Sequence, residues 1–198
     1  MILQSGRSIY LASRSPRRQQ LLAQIGVKFD LMDVDVNEAV VSGESPHDYV
    51  ERLAHAKAEA GWRRVESENR RHAPVLSADT TVAIDGRMLG KPADRHEAAQ
   101  MLAALSGRVH AVLTAVAVKH AARLESAVSV SEVSFKALSA EEIERYVATG
   151  ECDDKAGAYA IQGRAAKFVA ELRGSFSGVA GLPLYETAQL LERIGWAP

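Results

Sequence analysis

The sequence has little that would suit a disulfide-rich, membrane-spanning or nucleic-acid-coating protein. Its single cysteine, Cys152, cannot form an internal disulfide, and no uninterrupted apolar run approaches the roughly 18 residues of a membrane span. The 24 Lys and Arg residues against 25 Asp and Glu leave a formal charge of −1, so no overall basic field attracts nucleic acid. Aromatic residues make up only 6%, too few for a set of base-stacking platforms. We therefore expect no nucleic-acid and no membrane partner.

The composition that remains is that of a globular chain. The 198 residues are 47% hydrophobic and 25% charged, which excludes a disordered chain and a coiled coil. No repeat and no Pro-rich or Gly/Ser-rich linker divides the sequence, so we expect a single domain over residues 1–198. The start, Met1 to Gln4, lacks the order of a signal peptide, which together with the lone cysteine favours the cytoplasm.

Hydrophobic periodicity and capping residues predict alternating strands and helices with hairpins between them. Predicted strands cover 9–12, 29–34, 75–78, 82–89 folded back around an Asp-Gly turn, 109–118, 124–135, a stretch near Tyr159, and 168–172. Predicted helices begin after Ser15, Ser45, Asp94 and Ser139, and a last helix covers 182–194. The fold class is therefore α/β, with a mixed sheet and helices on both of its faces.

Residues 13–18, Ser-Arg-Ser-Pro-Arg-Arg, lie between the end of the first predicted strand and the first turn of a helix. Free backbone N–H groups and the helix dipole attract anions at such a position, and arginine side chains match phosphate oxygens in bidentate geometry. The segment predicts a phosphate site. The plainer interpretation is an ordinary helix start with solvated arginines.

Asp79, Thr80 and Thr81 follow an apolar strand, and Lys91 follows the return strand. A carboxylate there can hold a divalent cation or deprotonate a water, while a lysine can neutralise phosphate charge. The plainer interpretation is a turn aspartate that accepts from backbone amides and a surface lysine.

Four other candidate sites are rejected on their sequence patterns. Residues 86–92 read G-x-x-x-G-K-P, one residue short of a P-loop and with proline where Ser or Thr must meet the metal. Residues 33–44 imitate a calcium loop, but Glu38 occupies the place of the turn glycine. The six histidines show no zinc spacing, and carboxylates beside Cys152 disfavour a reactive thiolate.

Short blocks in a fixed order resemble the motifs of the Maf family of nucleoside triphosphate pyrophosphatases. They cover nearly the whole chain: 11–18, 44–46 with 52–54 and Lys57, 77–80, 90–92, 106–110 with Thr114, 154–163, 174–175 and 181–183. The resemblance implies a mixed twisted sheet flanked by helices, with two lobes around a substrate cleft as in inosine triphosphatase. It also implies a homodimer.

The resemblance further implies hydrolysis of a nucleoside triphosphate to the monophosphate and pyrophosphate, by water attack at the α-phosphorus with a divalent cation, Mg²⁺ or Mn²⁺. Residues 154–163, with Gln162, are similar to the branch that prefers dTTP and UTP rather than to the branch that acts on 7-methyl-GTP. Modified pyrimidine triphosphates fall within the same expectation.

Position by position, the resemblance also implies residue roles. Asp79 resembles the general base, Glu38 and Asp79 would hold the cation, and Lys91 would stabilise the departing pyrophosphate. Substrate-binding positions are Ser13, Arg17, Arg18, Lys57, Thr80 and Gln162, of which Arg17, Thr80 and Gln162 match positions tied to substrate choice. Asn37 departs from the pattern, because relatives commonly carry a second acid there beside the glutamate.

A different class of function uses the same pocket. A nucleotide-binding regulator of cell division or septum formation would bind a nucleotide without significant turnover. The enzyme is favoured because Asp79, Glu38 and several cations occur together, and a binder gains nothing from a base beside a scissile phosphorus.

Overall fold

The computed structural model describes residues 8–196, which are arranged around a seven-stranded mixed sheet. The strands are β1 Ile9–Leu11, β2 Phe29–Leu31, β3 Val75–Ile84, β4 Arg87–Leu89, β5 Val109–His120, β6 Arg123–Phe135 and β7 Val169–Arg173. Their order is β2-β1-β3-β5-β6-β7, with β4 paired to β3. The β1 strand is parallel to β2 and β3, and the remaining pairs are antiparallel.

Six helices surround the sheet within the described residues: α1 Pro16–Gln24, α2 Pro46–Ser67, α3 Arg95–Leu105, α4 Ala140–Val147, α5 Phe176–Val179 and α6 Leu184–Arg193. Two 3₁₀ turns cover Ala156–Ala158 and Arg164–Phe168. No described helix has the length and apolar character that crossing a membrane requires.

The predicted caps explain where several helices begin. Ser45 accepts from the Asp48 N–H at the start of α2, and Ser139 forms a complete capping box with Glu142. At α3 only half of the predicted box forms, because the Glu97 carboxylate accepts from the Ala93 N–H instead of the Asp94 N–H. The starts of α2, α3 and α4 are thus well predicted, because capping bonds are local.

Side chains along β5 alternate between the two faces of the sheet, and each set belongs to a different hydrophobic cluster. Leu113, Ala115 and Ala117 form a cluster with residues of α2, including Val50 and Ala54. The intervening valines of β5 belong to the larger cluster on the other face, which includes Leu190 and Leu191 of α6. Successive side chains of a strand point to opposite faces, so helices cover both faces. The predicted mixed α/β fold is confirmed.

One edge of β3 is open in its middle. The β1 strand pairs with β3 only as far as Leu76, and β4 joins the same edge at Val82. Across the described chain no strand pairs with 77–81 on that edge, while β5 pairs with this stretch on the other. The gap forms a notch in the sheet beside polar residues of β3.

The structure corrects several predicted boundaries. Asp79, Thr80 and Thr81 lie inside β3 and do not interrupt it, because their backbone continues the ladder with β5 opposite Ala115, Thr114 and Leu113. The second strand ends at 31 rather than 34, the last strand covers 169–173, and the last helix starts at 184 after the unpredicted α5.

The strand predicted near Tyr159 is wrong. Tyr159 has extended backbone, but it joins no strand pair among the described residues, and the 3₁₀ turn Ala156–Ala158 directly before it holds Gly157 at a φ of +66°. The Gly157 N–H donates to the Gly90 carbonyl instead of joining the sheet.

Candidate active site

A cleft of about 750 Å³ opens at the notch in β3. Its walls are the loop after β1 with the first turn of α1, the loop 33–38, the open edge of β3, Gly90 with Lys91, and the segments 154–162 and 179–181. Every predicted site residue lines it: Ser13, Arg17, Arg18, Glu38, Lys57, Asp79, Thr80, Lys91 and Gln162. The structure brings together residues that the chain separates by up to 149 positions, from Ser13 to Gln162.

Asp79 and Thr80 line the cleft on opposite faces of the sheet, at the open edge of β3. They are consecutive in β3, so their side chains point to opposite faces. Asp79 faces α2, where it meets Lys57, and Thr80 faces the side of Arg18 and Thr114. A ligand in the notch can therefore contact both faces at once.

Lys57 joins the two predicted acidic residues on the α2 side. Its Nζ lies 2.7 Å from Oδ1 of Asp79 and 2.6 Å from Oε1 of Glu38. The side chains of Lys57 and Asp79 are only 12% and 11% exposed, whereas that of Glu38 is 48% exposed. Burial alone would raise the pKa of Glu38, but the hydrogen bond and charge of Lys57, with the charges of Lys91 and Arg18, lower it overall. Glu38 is thus held as a carboxylate at the mouth of the cleft.

The loop that carries Glu38 is fastened to α2 by side chains that sequence reasoning did not assign to the site. The Tyr49 hydroxyl donates to the Glu38 carbonyl at 3.1 Å. Arg52 donates to the Ala39 carbonyl and to both oxygens of Glu44. Burial, followed by the charges of Asp79 and Glu38, raises the pKa of Tyr49 to about 12, so it remains a hydrogen-bond donor. Tyr49 and Lys57 have the i, i+8 spacing of residues on one helix face, and this spacing could have indicated from the sequence that Tyr49 lies near the site.

Arg18 ties three parts of the cleft together on the other face. Its Nε donates to the Gly181 carbonyl at 2.8 Å, Nη1 to Ser13 Oγ at 3.3 Å and Nη2 to Thr80 Oγ1 at 3.3 Å. Burial lowers the pKa of this guanidinium, although Asp79 opposes the shift. A guanidinium carries five N–H donors, so these contacts leave further donors for a ligand.

The N-terminus of α1 has the features of an anion site. Ser15 stands at the predicted N-cap, yet its side chain makes no capping hydrogen bond, unlike Ser45 and Ser139. The first-turn N–H groups of α1 therefore lack a side-chain partner at a position that lines the cleft. Arg17 lies in the same turn, and burial lowers the pKa of its guanidinium. This arrangement supports the phosphate-site interpretation of 13–18 over the plainer one.

The far wall carries Lys91 and Gln162, both exposed residues facing the cleft. The segment that leads to Gln162 is packed against the end of the β3–β4 hairpin, where an added Cβ on Gly157 would lie 2.8 Å from Cγ2 of Val82. Thr114, a residue of the resemblance but not of the predicted site, lies 3.0 Å from Thr80 and donates to the Gly178 carbonyl at 2.7 Å. It fixes Thr80 against α5.

The acidic pair fits a cation that arrives with substrate better than one held permanently. Among residues 8–196 no three His, Cys, Asp or Glu side chains group closely enough to hold a metal ion by themselves. Glu38 and Asp79 each use one oxygen for Lys57 and keep the other, and Asn37 turns its side-chain oxygen to the Ala39 N–H. Mg²⁺ is commonly bound by one or two carboxylates together with substrate phosphates, which matches this donor set.

Comparisons with known proteins agree with this geometry. The family described as Maf-like protein matches residues 8–194. A protein of Aromatoleum aromaticum named dTTP/UTP pyrophosphatase is 55% identical over 95% of this chain and 96% of its own length. Proteins with the same name from Nitrosomonas europaea, at 50% identity over 98% of both chains, and Cupriavidus metallidurans, at 53% over 94% and 96%, are similar as well.

Among solved structures, the Staphylococcus aureus Ham1 protein matches 96% of this chain and 93% of that chain at 13% identity and a TM-score of 0.46, and we draw nothing from that distant likeness. The family match over 8–194 and the relatives at 50–55% identity decide the assignment. This chain belongs to the Maf family.

Proposed function

We propose that this protein is a nucleoside triphosphate pyrophosphatase that hydrolyses dTTP and UTP to the monophosphate and pyrophosphate. One observation carries the proposal: the nearly buried Asp79 lies in the same cleft as the uncapped N-terminus of α1 and its arginines. A base and an anion site face one another across a space that a nucleotide can occupy. Named relatives at 50–55% identity support the same substrates.

The triphosphate binds at the start of α1. A nucleoside triphosphate carries roughly four negative charges, and phosphoryl transfer depends mainly on positioning and electrostatic stabilisation. Arg17, Arg18 and the first-turn N–H groups of α1 grip the phosphates, and Ser13 orients Arg18 through its hydroxyl. Lys91, on the opposite wall, neutralises charge on the departing pyrophosphate.

Asp79 accepts the proton of the attacking water. Lys57 occupies only one lone pair of the Asp79 carboxylate, which leaves lone pairs both for a cation and for the water that attacks the α-phosphorus in line with the leaving group. The P–O bond to the β-phosphate breaks, and pyrophosphate leaves. Mg²⁺ or Mn²⁺, held by Glu38 and Asp79 with the phosphate oxygens, would withdraw charge from the phosphates and acidify the water.

Gln162 recognises the nucleobase from the far wall. An amide side chain donates and accepts together, which matches the edge of uracil or thymine. Because a site built to form such hydrogen bonds leaves its polar groups unpaired with the wrong base, it discriminates strongly. Thr80 and Arg17 complete substrate choice at the sugar and phosphate end.

The proposal also includes a cytoplasmic location, where the nucleotide pools are, and a homodimer. Light scattering on the purified chain at several concentrations tests the dimer, and a mass of 21.4 kDa at all of them would contradict it.

The deciding experiment is a substrate panel with Mg²⁺ or Mn²⁺. The panel contains dTTP, UTP, CTP, dCTP, ATP, GTP, 7-methyl-GTP and modified pyrimidine triphosphates, with pyrophosphate measured separately from orthophosphate. Pyrophosphate mainly from dTTP and UTP is the expected result. Pyrophosphate chiefly from 7-methyl-GTP would keep the reaction and overturn the base preference. Binding without any product would favour the nucleotide-binding regulator.

A further inference from the structure

Gln162 lies in a short segment whose two ends are held by one pair of side chains. At one end the Tyr146 hydroxyl accepts from the Ala160 N–H at 3.2 Å. At the other end the Glu151 carboxylate accepts from the Arg164 N–H, at 2.9 Å to Oε1 and 3.0 Å to Oε2. Tyr146 and Glu151 contact each other, because the tyrosine hydroxyl donates to Oε1 at 3.0 Å. The network joins both ends of the segment that carries Gln162.

Close packing fixes the residue types that this hydrogen-bond network can accommodate. Gly163 faces the Glu151 carboxylate so closely that an added Cβ would lie 2.4 Å from Oε1. Tyr146 is 3% exposed and packs edge-on against Phe168, so its ring cannot move far. Burial of the hydroxyl is the largest cause of its raised pKa, which keeps it protonated and able to donate to Glu151. The segment therefore has one supported position.

Glu151 also acts electrostatically on the phosphate end of the cleft. The charge of Glu151 acts to raise the pKa of the Arg17 guanidinium, against the larger effect of burial. Glu151 thus lies within electrostatic reach of Arg17 while it bonds the backbone next to Gln162. Neither Tyr146 nor Glu151 is among the residues that line the cleft.

We infer that Tyr146 and Glu151 form a clamp that positions Gln162 and thereby determines the preference for thymine and uracil nucleotides over cytosine nucleotides. They are positioning residues, because they act on the substrate through the 160–164 backbone and not by contact. The inference rests on the proposed function, since it assigns the base contact to Gln162. Misplacement of a binding group by about 1 Å can cost up to about 10²-fold, so a loosened clamp weakens discrimination.

The test compares Tyr146→Phe and Glu151→Gln with Gln162→Ala. Tyr146→Phe removes one oxygen from a buried ring and keeps its packing, and Glu151→Gln keeps the side-chain shape. Matched controls are Tyr185→Phe and Glu144→Gln, which make the same chemical changes on exposed residues outside the cleft. Pyrophosphate release from dTTP and dCTP provides the ratio of kcat/KM values, and thermal melting verifies folding.

The expected result is a drop of about fivefold or more in the dTTP to dCTP ratio for both clamp variants, with the controls unchanged, as for loss of a hydrogen bond. In the Gln162→Ala background, Tyr146→Phe should leave the ratio unchanged, because the clamp acts through that side chain. A merely structural role would lower kcat/KM for both nucleotides alike and would not show this dependence.

Two results would overturn the clamp inference and leave the proposed function intact. They are an unchanged ratio in both clamp variants while Gln162→Ala alters it, and an equal effect of Tyr146→Phe with or without Gln162. A wild-type protein that releases no pyrophosphate from any nucleotide would instead reject the proposed function, and the clamp with it.

Discussion

Lys57 and Asp79 form a nearly buried ion pair, with Nζ and Oδ1 2.7 Å apart, in the middle of a strand edge that no other described strand covers. The lysine comes from α2 and the aspartate from β3, so the pair joins a helix to the open edge of the sheet. The same ammonium holds Glu38 at the mouth of the cleft. The Lys57 ammonium group therefore sets the spacing of the two carboxylates, Asp79 and Glu38, on which the proposed reaction depends.

Removal of the Lys57 ammonium group should disable the site. We expect Lys57→Met to lower kcat/KM for dTTP by about 10²-fold or more, because two carboxylates lose their shared hydrogen-bond partner and repel each other. The measurement is pyrophosphate release, with thermal melting alongside. Lys119→Met is the matched control, since Lys119 pairs with Glu59 of the same helix at 2.8 Å, is 13% exposed and lies outside the cleft lining. Equal losses in the two variants would contradict the role of Lys57.

Loss of Asp79, the proposed general base, should lower the rate of hydrolysis and leave the fold intact. Asp79→Asn keeps the shape of the side chain and its bond to Lys57 through the amide oxygen. We expect kcat to fall by about 10²- to 10⁴-fold while nucleotide binding, followed by calorimetry, changes little. Wild-type turnover by a folded Asp79→Asn protein would assign the base to another residue.

Close packing of Gly157 on Val82 should make this position sensitive to a single methyl group. Gly157 and Gly86 both have positive φ, +66° and +73°, so alanine strains the backbone at each. Only at Gly157 does the new Cβ collide, at 2.8 Å from Cγ2 of Val82. We expect Gly157→Ala to lower the free energy of unfolding in urea by about 1–3 kcal/mol more than Gly86→Ala does. Equal effects would show that backbone strain alone matters there.

The buried His110 should make stability fall in mild acid. Its Nε2 lies 2.8 Å from the Tyr159 hydroxyl, it is 2% exposed, and burial lowers its pKa from 6.5 to about 4. His110 therefore binds a proton near pH 6.5 in the unfolded chain but only near pH 4 in the folded chain. The free energy of unfolding decreases as the pH falls through this window. The loss attributable to His110 reaches about 2 kcal/mol by pH 5.

Urea unfolding at pH 7 and pH 5 measures this effect. His110→Gln keeps a hydrogen-bonding side chain and removes the titration, so its stability should depend less on pH than that of the wild type. His96→Gln, on an exposed position of α3, is the control and should behave as the wild type does. The same pH dependence in all three proteins would disprove the assignment to His110.

The sequence alone predicted features that depend on neighbouring residues. Ser45 and Ser139 start helices because their side chains accept N–H groups three residues on, and the β5–β6 hairpin follows from two adjacent apolar runs. The ordered motifs, compared with a known family, also selected a set of residues that all line one cleft. Their individual roles stay predictions, because a shared cleft does not assign a reaction step.

Only the tertiary structure decided how those residues are arranged. Asp79 and Thr80 were expected at the end of a strand, yet they continue it, because β5 satisfies their backbone from a distant part of the chain. The strand expected near Tyr159 does not form, because a 3₁₀ turn packed on Val82 precedes this stretch and no described strand pairs with it. Local patterns reflect capping and periodicity, whereas strand pairing and the contacts of Lys57 depend on which distant segments meet when the chain folds.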